Sequence, residues 1–189
     1  MIRSAIELIR RRGVAATSFA DVLADSGAPR GSVYHHFPGG KPQLVEEATR
    51  GAAEHLSAGM ARVLEASDAP GALRALAGLW RRGLEAGDYA VGCPIVAAAL
   101  GTERCARDVA GTAFETWRDL IADRLVADGA ERRRARSVAM LVVGGLEGAL
   151  VIAQAQRTSA PLDEAVEELS ILCRSVTGSP NPTVPADER

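Results

Sequence analysis

Hydrophobic residues recur every three or four positions along most of the 189-residue chain, which is the spacing that predicts amphipathic α-helices. Glycine, proline and small polar residues interrupt this spacing at intervals. The pattern predicts about nine helices and no strand, so the expected fold class is all-α. The predicted helices cover residues 2–12, 18–27, 29–37, 41–66, 70–86, 94–101, 104–127, 131–156 and 162–176.

The second and third predicted helices are short and are joined by a tight turn at Gly27. Ser18 suits the N-cap of the second helix, and Asp21 places an acid in its first turn, where the helix dipole favours one. Proline favours the first turn of a helix, so Pro29 is expected to open the third. Two short helices followed by a long one predict a helix-turn-helix, whose second short helix enters the DNA major groove.

The third predicted helix has an apolar face and a polar face. Val33 and Phe37 lie four positions apart and are expected to point into the core. The opposite face would present hydrogen-bond donors to phosphates and base edges, and Gly31 would let the backbone approach DNA closely. The exposed polar candidates are Arg30, Ser32, Tyr34 and His35.

The run from Gly27 to Phe37, with Lys41 and Leu44 after it, closely resembles the signature of the TetR family of transcriptional regulators. The segment Ala-Pro-Arg-Gly-Ser-Val-Tyr-His-His-Phe-Pro-Gly-Gly-Lys is similar to the subgroup named for LmrA and YxaF. The likeness is strong over residues 2–46. Farther along the chain it depends on Gly92-Cys93-Pro94 and on the number of helices.

The resemblance implies two domains. A helix-turn-helix DNA-binding domain would cover residues 1–45, and a helical effector-binding and dimerisation domain would cover residues 46–177. Residues 178–189 contain three prolines and few hydrophobic side chains, so we expect a disordered tail there.

The resemblance also implies roles for single side chains. Thr17 and Ser18, at the start of the second helix, would contact phosphate. Arg30 would be the best candidate to read a guanine, while Tyr34 and Lys41 would contact the DNA backbone. The full set of implied DNA-binding residues is Thr17, Ser18, Arg30, Gly31, Ser32, Tyr34, His35 and Lys41.

Two features depart from the family pattern. Pro29 stands where such proteins often carry serine or threonine, so that polar contact is lost. The chain also begins almost directly at the first helix. We therefore expect no minor-groove contact from a basic arm, unless the natural start lies upstream.

Four of the seven aromatic residues fall between positions 80 and 117. Pockets for small apolar molecules favour aromatic walls, so this part of the chain is expected to line an effector pocket. Ordinary core packing is the alternative for each residue. A second alternative makes Cys93 and Cys105 a thiol sensor, with Cys93 at a helix start, although a small apolar role is favoured. The candidate lining residues are Met60, Trp80, Cys93, Phe114 and Trp117.

The eighth predicted helix contains several glycines, each of which costs about 1 kcal/mol relative to alanine in a helix interior. Close helix–helix approach would explain them, and the ninth helix carries leucines on one side. The resemblance implies that these two helices form a homodimer interface, and the alternative is internal core. The interface candidates are Gly144, Gly145, Gly148, Leu169 and Leu172.

Charge and cysteine content change this picture little. The net charge is −2, but residues 1–50 carry seven basic against five acidic side chains, which favours an anionic partner at that end. The three cysteines form no pair with metal-ligand spacing, and the adjacent His35 and His36 point about 100° apart. We therefore predict no metal, no cofactor and a cytoplasmic location.

The sequence disfavours three other classes of protein. The apolar run 138–153 is short for a membrane span and contains Glu147, so a helix buried on nearly all sides is preferred. An enzyme is not predicted, because neither Gly-x-Ser-x-Gly nor His-Glu-x-x-His occurs. A small-molecule binding module with an inactive DNA-binding part is opposed by the intact run 30–41.

The predicted function is a repressor released from a palindromic operator by a small apolar or aromatic effector.

Overall fold

Within residues 1–178, which the computed structural model describes apart from the side chain of Tyr34, short connections join nine α-helices. No strand occurs in this part of the chain, so the all-α prediction is confirmed. The predicted tail, residues 178–189, lies outside the described residues except for Gly178. The helices are α1 (Ile2–Arg12), α2 (Phe19–Ser26), α3 (Arg30–His36), α4 (Gly40–Ala66), α5 (Ala69–Ala86), α6 (Pro94–Ala99), α7 (Arg104–Ala127), α8 (Arg132–Gln156) and α9 (Ala160–Thr177).

The helix bounds follow local capping chemistry. Ser18 caps α2 through a capping box, because its Oγ accepts from the Asp21 N–H while the Asp21 carboxylate accepts from the Ser18 N–H. Gly27 then ends α2 with a φ of 67°, a left-handed conformation that glycine adopts without strain. Helix α9 begins at Ala160, two residues before the predicted start, because Pro161 lies in the first turn of the helix and does not interrupt it.

The long helix α4 connects the predicted DNA-binding helices α1–α3 to the helices that follow it. Its 27 residues correspond to a length of about 40 Å. The helix packs against both α1 and α7. The domain boundary predicted between residues 45 and 46 therefore falls inside one unbroken helix, so the two predicted domains share a rigid element.

The remaining helices enclose the larger part of the core, and α8 packs between α7 and α9. In length and composition α8 qualifies as a membrane span, but one side of it forms core with Val138, Val142 and Leu146. Such a helix is therefore weak evidence for a membrane. The prediction that it would be buried on nearly all sides is wrong for the single chain, because its opposite face is exposed. The large apolar residues on that face are Met140, Leu141, Val151 and Ile152.

Candidate DNA-binding surface and its connection to the C-terminal helices

The third helix, α3, is held by two buried apolar side chains. Val33 and Phe37 are 2% and 4% exposed, and the Phe37 ring lies 6.3 Å from that of Phe19 on α2. Arg30 and His35 are exposed, as is the backbone at Gly31. A Cβ atom at Gly31 would meet nothing within 4 Å. The helix thus presents a polar face to the surroundings from a fixed apolar base.

Charged and polar groups flank this face. Arg12 forms an ion pair with Asp21 at 3.6 Å, and Lys41 Nζ donates to the Ala15 carbonyl at 3.2 Å. The hydrogen bonds from the side chain and backbone of Ser18 are the main causes that hold the pKa of Asp21 below its ordinary value. Asp21 therefore remains ionised and keeps the capping box closed at the exposed start of α2.

The hydroxyl groups predicted to contact DNA already have local partners. Ser18 Oγ donates to the Asp21 carboxylate, and Ser32 Oγ donates to the Pro29 carbonyl at 2.6 Å. Thr17 differs because its side chain is buried, and its hydroxyl donates to the Gly13 carbonyl at 2.9 Å. A phosphate contact from the Thr17 hydroxyl does not fit this placement, since the group is inside the fold. The Tyr34 hydroxyl belongs to a side chain outside the described part.

The five candidate effector-binding residues lie in or against the hydrophobic core. Met60 and Trp117 are core residues, and the Trp117 indole N–H donates to Ser57 Oγ on α4 at 2.9 Å. Phe114 contacts Trp117 edge-on at a ring distance of 5.5 Å, while Trp80 and Cys93 are half-buried against the core. Two surface cavities, of about 460 and 440 Å³, are lined by other residues. The contacts of these five side chains are those of core packing.

Glu147 of α8 is half-buried, with one carboxylate oxygen fully enclosed, and it is not among the binding groups predicted from the sequence. Its Oε2 atom has no hydrogen-bond partner, and the Cys93 thiol is its polar neighbour. Burial raises the pKa of Glu147 to about 7, an effect that the hydrogen bond with Cys93 only partly offsets. Burial also raises the pKa of the Cys93 thiol far above its ordinary value. A thiolate sensor at Cys93 is therefore disfavoured.

The segment that precedes α6 lies between the DNA-binding part and α8. The Gly92 N–H donates to the Arg10 carbonyl at 2.9 Å, and Arg10 Nε donates back to the Gly92 carbonyl at 3.2 Å. On its other side, a Cβ atom at Gly92 would lie 2.7 Å from the Gln154 side chain of α8. Arg10 thus joins α1 directly to the segment between α5 and α6.

The glycines of α8 lie in two different environments. A Cβ atom at Gly145 would lie 3.1 Å from the Leu169 side chain, so these two predicted interface residues bring α8 and α9 together within one chain. Gly144 and Gly148 are exposed, and a Cβ atom at either would meet nothing within 4 Å. Leu172 is half-buried against the core. The outer apolar face of α8, defined by Met140, Leu141, Val151 and Ile152, thus includes only two of the predicted glycines.

A helix-turn-helix with a polar recognition helix, joined by a long helix to a helical bundle, defines a DNA-binding regulator. Residues 1–48 match the model of bacterial regulatory proteins of the tetR family. Residues 69–168 match the model of the C-terminal domain of LmrA/YxaF-like transcriptional regulators. The chain belongs to the TetR family of transcriptional regulators.

Individual relatives agree with this assignment. The chain is 43% identical over 171 residues to the uncharacterized HTH-type transcriptional regulator Rv0196 of Mycobacterium tuberculosis, covering 86% of this chain and 87% of the relative. It is 27% identical over 167 residues to the HTH-type transcriptional regulator LmrA of Bacillus subtilis, covering 86% and 88%. A TetR-family regulator of known structure from Agrobacterium tumefaciens superposes with a TM-score of 0.78 at 25% identity, covering 90% and 94%.

Proposed function

We propose that this protein is a homodimeric repressor in the cytoplasm that binds a palindromic operator and is released by a small apolar or aromatic effector. The observation that carries the proposal is the exposed polar face of α3, held in place by the buried Val33 and Phe37. A bound dimer over a promoter would exclude polymerase by occupying the same DNA.

Contacts to DNA divide into base reading and backbone binding. Arg30 is free of ion pairs among the described residues, so its guanidinium can make the two-pronged contact that guanine favours. His35, Ser32 and Gly31 would adjoin it in the groove. Ser18, Lys41 and the Tyr34 hydroxyl would contact phosphates, and Lys41 would exchange its bond to the exposed Ala15 carbonyl for one to phosphate.

Dimerisation would cover the outer apolar face of α8. Its four large side chains are between 48% and 57% exposed, and Ile171 of α9 adds a fifth at 39%. A contiguous apolar face of this kind is a common mark of a protein interface. Gly144 and Gly148 would let a partner helix approach closely. A two-fold dimer places two recognition helices on two half-sites, which matches a palindrome.

Effector binding would be coupled to DNA binding through two connections. The first is α4, which packs on both α1 and α7, and the second is the pair of hydrogen bonds between Arg10 and Gly92. An effector that separates Phe114, Trp117 and their neighbours would move these connections and the recognition helices with them. By linkage, effector and operator would weaken each other by the same factor.

Fluorescence anisotropy with DNA from upstream of the protein's own gene and neighbouring genes tests the proposal. We expect a palindromic fragment to bind at least about a thousandfold more tightly than bulk DNA, with affinity falling steeply as salt rises. Equal affinity for every fragment would contradict a regulator, and so would no DNA binding at all. The latter result would favour a small-molecule binding module with an inactive DNA-binding part.

A further inference from the structure

A cavity of about 460 Å³ opens between α5 and α9, apart from the polar face of α3 and from the five candidate effector residues. Residues at positions 74, 77 and 81 of α5 and at positions 163, 166, 167, 170 and 174 of α9 line it. Their spacing of three and four places each set on one face of its helix. The cavity is therefore a built feature of the packing between these two helices, and its volume lies within the range of small-molecule sites.

The cavity wall is rich in guanidinium groups. Arg74, Arg81 and Arg174 line it together with Asp163 and Glu167, so basic groups outnumber acidic ones. Arg81 forms an ion pair with Asp163. Neither of the other two arginines has a carboxylate within 4 Å among residues 1–178. The positive charge of the wall is thus only partly neutralised within the chain.

Unpartnered hydrogen-bond donors concentrate at the same place. Five buried side-chain polar atoms in the described part have no hydrogen-bond partner, and three of them belong to residues of this cavity. They are Arg81 Nε, Arg174 Nε and the hydroxyl of Ser170, a residue that is only 2% exposed. A buried donor without an acceptor costs free energy, so native structures usually supply one. All three atoms carry a hydrogen to donate, and an oxygen-rich acceptor would satisfy them.

We propose that the cavity between α5 and α9 is a second ligand site, which takes a small organic oxyanion bearing a carboxylate or a phosphate. Arg174 and Arg81 supply the charge-assisted hydrogen bonds, Ser170 donates its hydroxyl from the floor, and Arg74 adds charge at the rim. The planar guanidinium group suits both kinds of oxyanion because it can donate two parallel hydrogen bonds. Asp163 turns from Arg81 towards solvent when the anion enters.

Binding of plain anions tests this site without DNA or effector, so its outcome is separate from that of the repressor proposal. Isothermal titration with inorganic phosphate and with citrate, against sodium chloride of equal ionic strength, shows which oxyanion is preferred. We expect saturable binding of at least one of the two, weakened at least about tenfold in Arg174→Gln. Arg82→Gln is the matched control, because Arg82 is exposed on the same helix as Arg81 but does not line the cavity.

Ser170→Ala separates a binding role from a purely structural one. Removing an unpartnered buried hydroxyl leaves the unliganded melting temperature unchanged or raises it, whereas the anion-induced rise in melting temperature shrinks. The proposal is overturned if neither anion binds beyond the ionic-strength control. It is equally overturned if Arg82→Gln weakens binding as much as Arg174→Gln, or if Ser170→Ala leaves the anion-induced rise intact.

Discussion

The polar face of α3 and the outer apolar face of α8 are both exposed in the single chain, yet they have opposite chemistry. The seven-residue α3 presents Arg30 and His35, whereas the 25-residue α8 presents large aliphatic side chains such as Leu141 and Val151. Phosphates and base edges require donors and positive charge, whereas a protein interface is stabilised by burial of apolar area. Two exposed helices of one chain are thus suited to two different macromolecules.

The largest effect is expected from a charge on the outer face of α8. In Leu141→Asp the carboxylate would have to be buried at the dimer interface, so we expect a dimer by light scattering for the parent and a monomer for the variant. Leu100→Asp is the matched control, since Leu100 is 83% exposed and lies outside this face. If Leu141→Asp remains a dimer, the interface lies elsewhere.

Glu147 lies on α8 but, unlike the exposed residues of the outer apolar face, has an enclosed carboxylate oxygen. Its pKa in the fold, about 7, lies above its ordinary value of 4.5, so its contribution to stability is complete below pH 4.5 and is lost as the pH rises through 7. Glu147→Gln removes this loss and should be more stable than the parent by roughly 3 kcal/mol at pH 8. Thermal unfolding of the parent and of Glu147→Gln at pH 5 and pH 8 measures this difference in stability. A stability difference that does not grow with pH would show that Glu147 is ionised in the fold.

The polar face of α3 should show its base-reading role at one side chain. Arg30→Ala is expected to cost about 1–3 kcal/mol of operator binding per half-site and to relax preference at one base position in each half-site. A competition assay with a library of operator variants measures both. Arg62→Ala, exposed in the second half of α4, serves as control. Unchanged base preference in Arg30→Ala would remove Arg30 from the set of base readers.

A smaller and non-selective effect is expected at Lys41. Lys41→Ala should weaken all DNA sequences alike, and should lower the slope of log affinity against log salt by about 2, since each subunit of the dimer loses one phosphate contact. Affinity measured at four or five salt concentrations gives this slope. An unaltered slope would mean that Lys41 keeps its bond to the Ala15 carbonyl on DNA.

Local signals predicted most helices because their causes are local. The Ser18–Asp21 capping box and the turn at Gly27 each depend on residues that are close in sequence. The spacing of Val33 and Phe37 likewise identifies the buried side of α3. Contacts between distant segments were not accessible in this way. Periodicity could not tell that Gly145 faces Leu169 within the chain while Gly144 faces outwards.

Three further features depend on pairs of segments far apart in sequence. The bond between Arg10 and Gly92 joins residues 82 positions apart, and its acceptors include backbone carbonyls that carry no side-chain signal. The cavity between α5 and α9 exists only once those helices pack. For Glu147 a signal was present, since it is the single charged residue in the apolar run 138–153. Such a residue argues against a membrane span, but a lone carboxylate in a helix that packs on the core also marks a candidate binding group.

The affinity of the parent protein for a full palindrome, compared with one isolated half-site, tests the division of roles between the two faces most directly. If α8 joins two copies and α3 of each reads one half-site, the palindrome should bind at least about a hundredfold more tightly. Leu141→Asp should bind both DNAs with equal, low affinity. A parent protein that binds the half-site as tightly as the palindrome would contradict the account.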